Sequence, residues 1–307
     1  MVSISRTGEK MRYLILILLC SCTQNTKFSS YKLDSLVGGF NQLSLESSYA
    51  GTYTIENSLV EMNGRVVAFF DPNTDGSLWR ADLGTSGREF NGVRKIMDSA
   101  RFSYVMSHNG VLYNFVTRNK TIYLLTSIDG DSWSEQGAVL TPSQDPTSKY
   151  FNIWNVGVAV DDQGLWHMLI ESSDATENQM DVGLTYSTSA MVNGRLNFDP
   201  ARSATHVIPH GGNPFIQNIP GRGLLVIHGQ ANDPGVWFTT ASTYQGGVWS
   251  THKDRMRIGL TNVAVCDPHA VEVQGRILLS VSAGQDSIYF LDSNDSFESL
   301  YLKLRAP

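Results

Sequence analysis

Five times along this chain a short apolar strand runs toward a tight turn and returns as a second, more strongly apolar strand. The first copy spans residues 56–70 and turns at Asn63-Gly64. The second begins at Arg101, turns at Asn109-Gly110 and returns over 111–116. The third runs over 154–160, turns over 161–164 and returns over 165–171. The fourth covers 212–216 and 224–228; the fifth covers 267–271 and 277–281 with its turn at Gln274-Gly275. A third strand follows each hairpin, for example over 122–127, 183–187, 236–240 and 287–293, and a polar fourth strand is expected to close each copy. The copies recur about every 45–60 residues, the length of one four-stranded propeller blade. The repeat therefore predicts an all-β chain, a five-bladed β-propeller of four-stranded antiparallel blades over residues 50–307. A β-sandwich with as many strands would leave the repeat register unexplained.

Composition agrees with strands and turns. Of 307 residues, 41% are hydrophobic, 17% are charged and 27 are glycine, and no apolar stripe at helical spacing runs far in the body. The net charge of −6 is spread along the chain and leaves no basic face for a phosphate backbone, so nucleic acid is excluded as a partner. A monomer is expected.

The N-terminus carries a different signal. Arg6, Lys10 and Arg12 precede the apolar run 13–19, which is too short to span a bilayer. A basic segment, a short apolar segment and small residues read as a signal peptide over 1–22. Its end, Leu19-Cys20-Ser21-Cys22, resembles a bacterial lipobox, in which Cys22 would be lipidated; Met11 is an alternative start. Residues 23–49 then form a tether and entry segment. The expectation is an exported lipoprotein that meets the membrane only through this anchor, the alternative being a cleaved, secreted protein. Cys266 would be the one thiol of the folded domain, so neither a disulfide framework nor a thiolate metal site is expected.

The turn Ser127-Ile-Asp-Gly-Asp-Ser-Trp133 is similar to the Ser-x-Asp-Gly-x-x-Trp turn of five-bladed glycoside hydrolases, and Asp267-Pro268 and Gly212-Asn213-Pro214 resemble inner-strand openings of that group. The arabinanase and xylosidase enzymes of family 43 and the invertase-like enzymes of family 32 are the nearest analogies, over roughly residues 50 to 305. Two departures stand out. Where family 43 carries Glu-x-Pro before its third inner strand this chain has Trp154-Asn155-Val156, and Glu56-Asn57 stands where an Asp-Pro would open the first copy.

Propeller geometry selects pocket candidates independently. Inner strands run parallel, so their first residues ring one mouth of the channel: Glu56, Arg101, Trp154, Asn155, Asn213, Asp267 and His269. The second strands end at the same mouth, adding Asp71, Arg118, Glu171 and Gln230. Glycoside hydrolysis uses one carboxylic acid to protonate the leaving oxygen and one carboxylate as base or nucleophile. Glu171 ends an apolar run that should raise its pKa, which suits the acid. Asp267, its backbone fixed by proline, is the leading base or nucleophile, or else a turn cap. Glu56 is a further base or a pKa-setting neighbour, and Asp71 a catalytic carboxylate or part of an ordinary hairpin loop. Trp154 would stack on a sugar face or pack in the wall, while Asn155, Asn213, Arg101, Arg118 and Gln230 would bind substrate. No cofactor is required; the family resemblance implies an axial calcium near His269, against a core histidine bonded to a carbonyl. Gly-rich phosphate loop, His-Glu-x-x-His helix and nucleophile elbow are all missing from the sequence. The expectation is a glycoside hydrolase acting on an oligo- or polysaccharide. The alternatives are a non-catalytic glycan-binding propeller and a sialidase-like enzyme, which would need three arginines where Arg101 and Arg118 supply two.

Overall fold

In the computed structural model the chain divides into two compact units, residues 1–34 and 35–307. The structure describes residues 41–42, 54–72, 76–83, 90–177, 179–180, 182–200, 204–232, 236–259, 264–283 and 287–306, all in the second unit. Cys20, Cys22 and the signal segment lie outside the described residues.

The described residues form five antiparallel sheets, the blades of a five-bladed β-propeller. A two-residue strand, β1 (Asn41–Gln42), comes first. Blade one is β2 (Thr54–Met62), β3 (Arg65–Pro72), β4 (Leu78–Leu83) and β5 (Phe90–Met97). Blade two is β6 (Tyr104–His108), β7 (Val111–Arg118), β8 (Thr121–Ser127) and β9 (Ser134–Leu140). Blade three is β10 (Asn152–Val160), β11 (Leu165–Ser173), β12 (Gly183–Ala190) and β13 (Ile208–Pro209). Blade four is β14 (Gly211–Ile219), β15 (Gly223–Asn232), β16 (Val236–Gln245) and β17 (Val248–Thr251), with β18 (Arg257–Ile258) also paired to β16. Blade five is β19 (Val265–Val273), β20 (Arg276–Ala283) and β21 (Ser287–Ser293), and its outermost strand is β1, which pairs Asn41 with Asp292. The fourth strand of the last blade thus comes from the chain's beginning rather than from its own copy. The propeller also takes in residues before position 50, where the sequence placed its boundary.

The hairpin turns obey simple backbone chemistry. Asn63 and Asn109 adopt φ of 52° and 51°, each followed by a glycine at 75°. Two consecutive positive φ values define the turn whose twist matches paired strands. Adjacent blades then pack through apolar faces. Phe69, Val105 and Leu112 fill the seam between blades one and two. Phe115, Ile153 and Trp166 fill that between two and three. Leu184, Ile216 and Val226 serve three and four, and Leu59, Leu278 and Phe290 join five to one. Each such buried side chain contributes about 1.5–3 kcal/mol, so stability lies between the blades.

One helix, α1 (Phe297–Arg305), follows β21. It is too short to register as a long apolar stripe, yet it buries Phe297, Leu300, Tyr301 and Leu304 on one face, and the Ser296 side chain caps it by accepting from the Ser299 N–H at 3.1 Å.

The turn after β8 is structural. Asp129 Oδ1 accepts the N–H groups of Asp131 and Ser132, both at 2.8 Å, and the Ser127 hydroxyl at 3.0 Å. These donors hold its carboxyl down at about 2. Arg80 from blade one donates to the Asp129 carbonyl at 2.5 Å and to Asp131 at 3.0 Å, so the turn ties blades one and two together.

Candidate functional site

Four of the five inner strands shift register near their starts: β2 between Thr54 and Glu56, β10 between Ile153 and Val156, β14 between Gly212 and Phe215, and β19 between Cys266 and His269. A β-bulge re-aims side chains locally. Asn213 and Asp267 occupy these bulges with φ of 47° and 50°, a region that Asn and Asp tolerate better than most residues. β10 and β14 also approach closely: a Cβ on Gly157 would stand 2.3 Å from the Pro214 carbonyl oxygen.

These bulges bring Asn155, Asn213, Asp267 and His269 to one pocket, together with Asn57, Phe102 and Tyr104. Glu171, at the end of β11, is fully buried beside them. Its Oε2 accepts Asn155 Nδ2 at 2.9 Å and the Asn213 N–H at 3.2 Å, while Asn155 Nδ2 also donates to Asn213 Oδ1. Donors from blades three and four therefore converge on one carboxylate oxygen and work against the cost that burial sets on its ionisation.

Asp267 is only 3% exposed, and burial pushes its carboxyl up to about 7, helped by the nearby charge of Glu171. The Cys266 thiol donates to its Oδ2 at 3.4 Å and opposes the rise, as does Ser282. Its Oδ1 is buried with no hydrogen-bond partner among the described residues. Asn57, from neighbouring blade one, donates to the Asp267 carbonyl at 2.9 Å, and its own Oδ1 accepts the Ser280 hydroxyl.

His269 lies one step deeper. Its Nδ1 accepts the Leu59 N–H at 3.0 Å, and burial pulls its pKa down to about 3. The neutral ring therefore carries its proton on Nε2 and has no lone pair there for a metal. Calcium takes six to eight oxygen ligands, and no cluster of three His, Cys, Asp or Glu side chains stands among the described residues. The axial calcium implied by the family resemblance does not fit the described donors. With Tyr104 and Phe215, ring centroids 5.0 and 4.9 Å away, His269 plugs the axis. Beyond the plug the opposite mouth widens into a cavity of about 570 Å³ bordered by Phe297.

The other candidates divide. Gln230 is buried and donates to the Pro209 carbonyl at 3.0 Å. Arg118 is half-buried and donates to Glu135 at 2.6 Å and to the Ser99 carbonyl at 2.9 Å, so its guanidinium already has partners within blade two and the segment before it. Arg101 is exposed and lies over the Phe102 ring at 4.8 Å. Trp154 is half-buried, and its carbonyl accepts the Thr117 hydroxyl. Glu56 and Asp71 are opposite each other on β2 and β3, and their side chains lie outside the described residues. Asn57, Cys266 and Ser282 were not foreseen; Asn57 and Cys266 adjoin predicted residues, Glu56 and Asp267, and that adjacency was the available signal.

No family model matches the chain, and no curated protein matches it. Solved structures do. A glycosyl hydrolase from Bacteroides ovatus is 12% identical, with a TM-score of 0.59 over 83% of this chain and 93% of that one. An α-L-arabinofuranosidase from Podospora anserina in complex with cellotriose is 11% identical, with a TM-score of 0.60 over 85% of this chain and 95% of that one. A β-1,2-mannobiose phosphorylase from Listeria innocua, in complex with β-1,2-mannobiose, is 11% identical, with a TM-score of 0.59 over 89% of this chain and 98% of that one. At such identities the likeness concerns the backbone, and the chain shares the five-bladed propeller fold of these carbohydrate-active proteins.

Proposed function

We propose that this protein is a glycoside hydrolase whose working carboxylates are Asp267 and Glu171. One observation carries the reading: two acids from different blades meet at the mouth of the propeller, and burial, with the charge of Glu171 beside it, lets Asp267 hold its proton to about pH 7. Like-charged carboxylates whose environments differ take different roles. The two N–H donors on Glu171 Oε2 suit the ionised partner, which attacks or activates water. Asp267 then supplies the proton to the leaving oxygen. This reverses the assignment expected from the apolar run before Glu171, because one donor comes from the neighbouring strand of its own blade and the other from blade four. The solved structures of like fold, two of them holding oligosaccharides, support a carbohydrate partner. The signal and lipobox residues extend the proposal to an exported, lipid-anchored enzyme.

Asp267→Asn and Glu171→Gln are nearly isosteric and test the pair. Each should cut turnover of an aryl glycoside, found by screening arabinosides, xylosides, fructosides and galactosides, by at least about a hundredfold. Glycan binding without cleavage of any of them points to the non-catalytic propeller. Cleavage that survives both substitutions moves the site to Glu56 and Asp71.

A further inference from the structure

Two cations stand at the mouth side of blade two without a carboxylate partner among the described residues. Arg101 is exposed, with its guanidinium 4.8 Å from the Phe102 ring centre, and Phe102 lines the pocket that holds Asp267. Lys120 is exposed in the turn between β7 and β8, with its ammonium 5.4 Å from the Phe151 ring centre and 2.5 Å from Asn152 Oδ1. The two segments are side by side, because the Arg101 carbonyl accepts the Thr117 N–H at 3.1 Å. Neighbouring charges are already matched: Glu135 with Arg118, and Asp174 and Glu177 with Lys149. Aromatic faces hold both cations in place without neutralising them. Trp154 of the neighbouring blade is half-buried, and its carbonyl accepts the Thr117 hydroxyl of blade two.

Two cations beside the pocket, neither paired with a carboxylate among the described residues, suit an anionic group better than a neutral one. We infer that the mouth of blade two is an acidic-sugar subsite, in which Arg101 and Lys120 take the carboxylate of a uronic acid residue while Trp154 stacks on a sugar ring. The inference rests on the glycoside-hydrolase reading and names its substrate class: a uronate-bearing saccharide. Arg101 supplies a planar fork that matches a carboxylate in two bonds, and Lys120 a point charge. The carboxylate binds at this rim rather than beside the ionised Glu171, whose charge would repel it.

The test is calorimetric titration of the full chain with trigalacturonic acid, its methyl ester and arabinotriose, at low salt and at high salt. The ester keeps the sugar rings and linkages of the acid and lacks its charge. The acid should bind about tenfold more tightly than the ester at low salt, and the margin should shrink at high salt. Arg101→Gln and Lys120→Gln should each erode the margin and together abolish it, whereas Arg101→Lys should keep part of it. Equal affinity for acid and ester overturns the inference and leaves the glycosidase reading intact if arabinotriose binds. Inorganic phosphate that displaces the acid at lower concentration than free galacturonate also overturns it, by making the subsite a phosphate site. Binding of none of the saccharides also overturns the inference, while the glycosidase reading stands or falls with the aryl-glycoside screen.

Discussion

The thiol of Cys266 donates to Oδ2 of Asp267 across 3.4 Å, one residue from the proposed proton donor. This bond stabilises the ionised carboxyl, while burial and Glu171 oppose ionisation and raise the group to about 7. An acid works while it is protonated, so turnover should be lost as pH rises through about 7. Cys266→Ala removes a donor to the anion and should move that falling limb to higher pH, with Cys266→Ser returning it toward the parent. A pH–rate profile of the three proteins checks the order.

Asp267 also carries a cost to stability. Its folded pKa of about 7 lies above its ordinary 3.8, so the folded chain binds the proton more tightly than the unfolded chain. Stability is then greatest below the ordinary value and falls as pH rises through the folded one. Asp267→Asn has no charge to bury. It should be more stable than the parent at pH 8 by on the order of 2–4 kcal/mol, with the gap closing near pH 4. Urea unfolding at the two pH values measures it, and an equal gap at both would contradict the linkage.

Gly157 sets how closely two inner strands approach. A methyl group there would meet the Pro214 carbonyl oxygen at 2.3 Å, with backbone and not a yielding side chain in the way. Gly157→Ala should force β10 from β14 and cost about 1–3 kcal/mol or more. The same shift should weaken the Asn155–Asn213–Glu171 contacts, so turnover should fall along with the thermal midpoint. An alanine variant with unchanged midpoint would show that the seam is looser than this distance implies.

The anchor makes a separate prediction. If Cys22 carries lipid, Cys22→Ser should abolish labelling by a clickable fatty acid and leave the precursor uncut, whereas Cys20→Ser should label normally. Equal labelling of the Cys22 variant and the parent would remove the lipoprotein proposal.

The fold was legible because its units are local. Asn63-Gly64, Asn109-Gly110 and Gln274-Gly275 fix turns within a few residues, and all six take the positive φ such turns need. Propeller geometry then placed Asn155, Asn213, Asp267 and Glu171 at one mouth without coordinates. What sequence could not supply was pairing over distance. Which donors reach Glu171 depends on blade spacing and on bulges; Asn57 meets the Asp267 carbonyl from 210 positions away. Arg118 was placed correctly at a strand end, but Glu135 on the same blade claims it. The strand Asn41–Gln42 is too short to show any periodicity.

That strand has a consequence for how the protein comes into being. β1 is made first and β21 nearly last, and their paired residues lie about 250 positions apart, a separation that makes contact formation slow. The first four blades hold their own hydrogen bonds as soon as each is complete. The fifth stays open along one side until the oldest part of the chain returns to it. Circle closure is therefore a late event that requires nearly the whole domain, and a chain stopped before Ser287 has nothing for β1 to join.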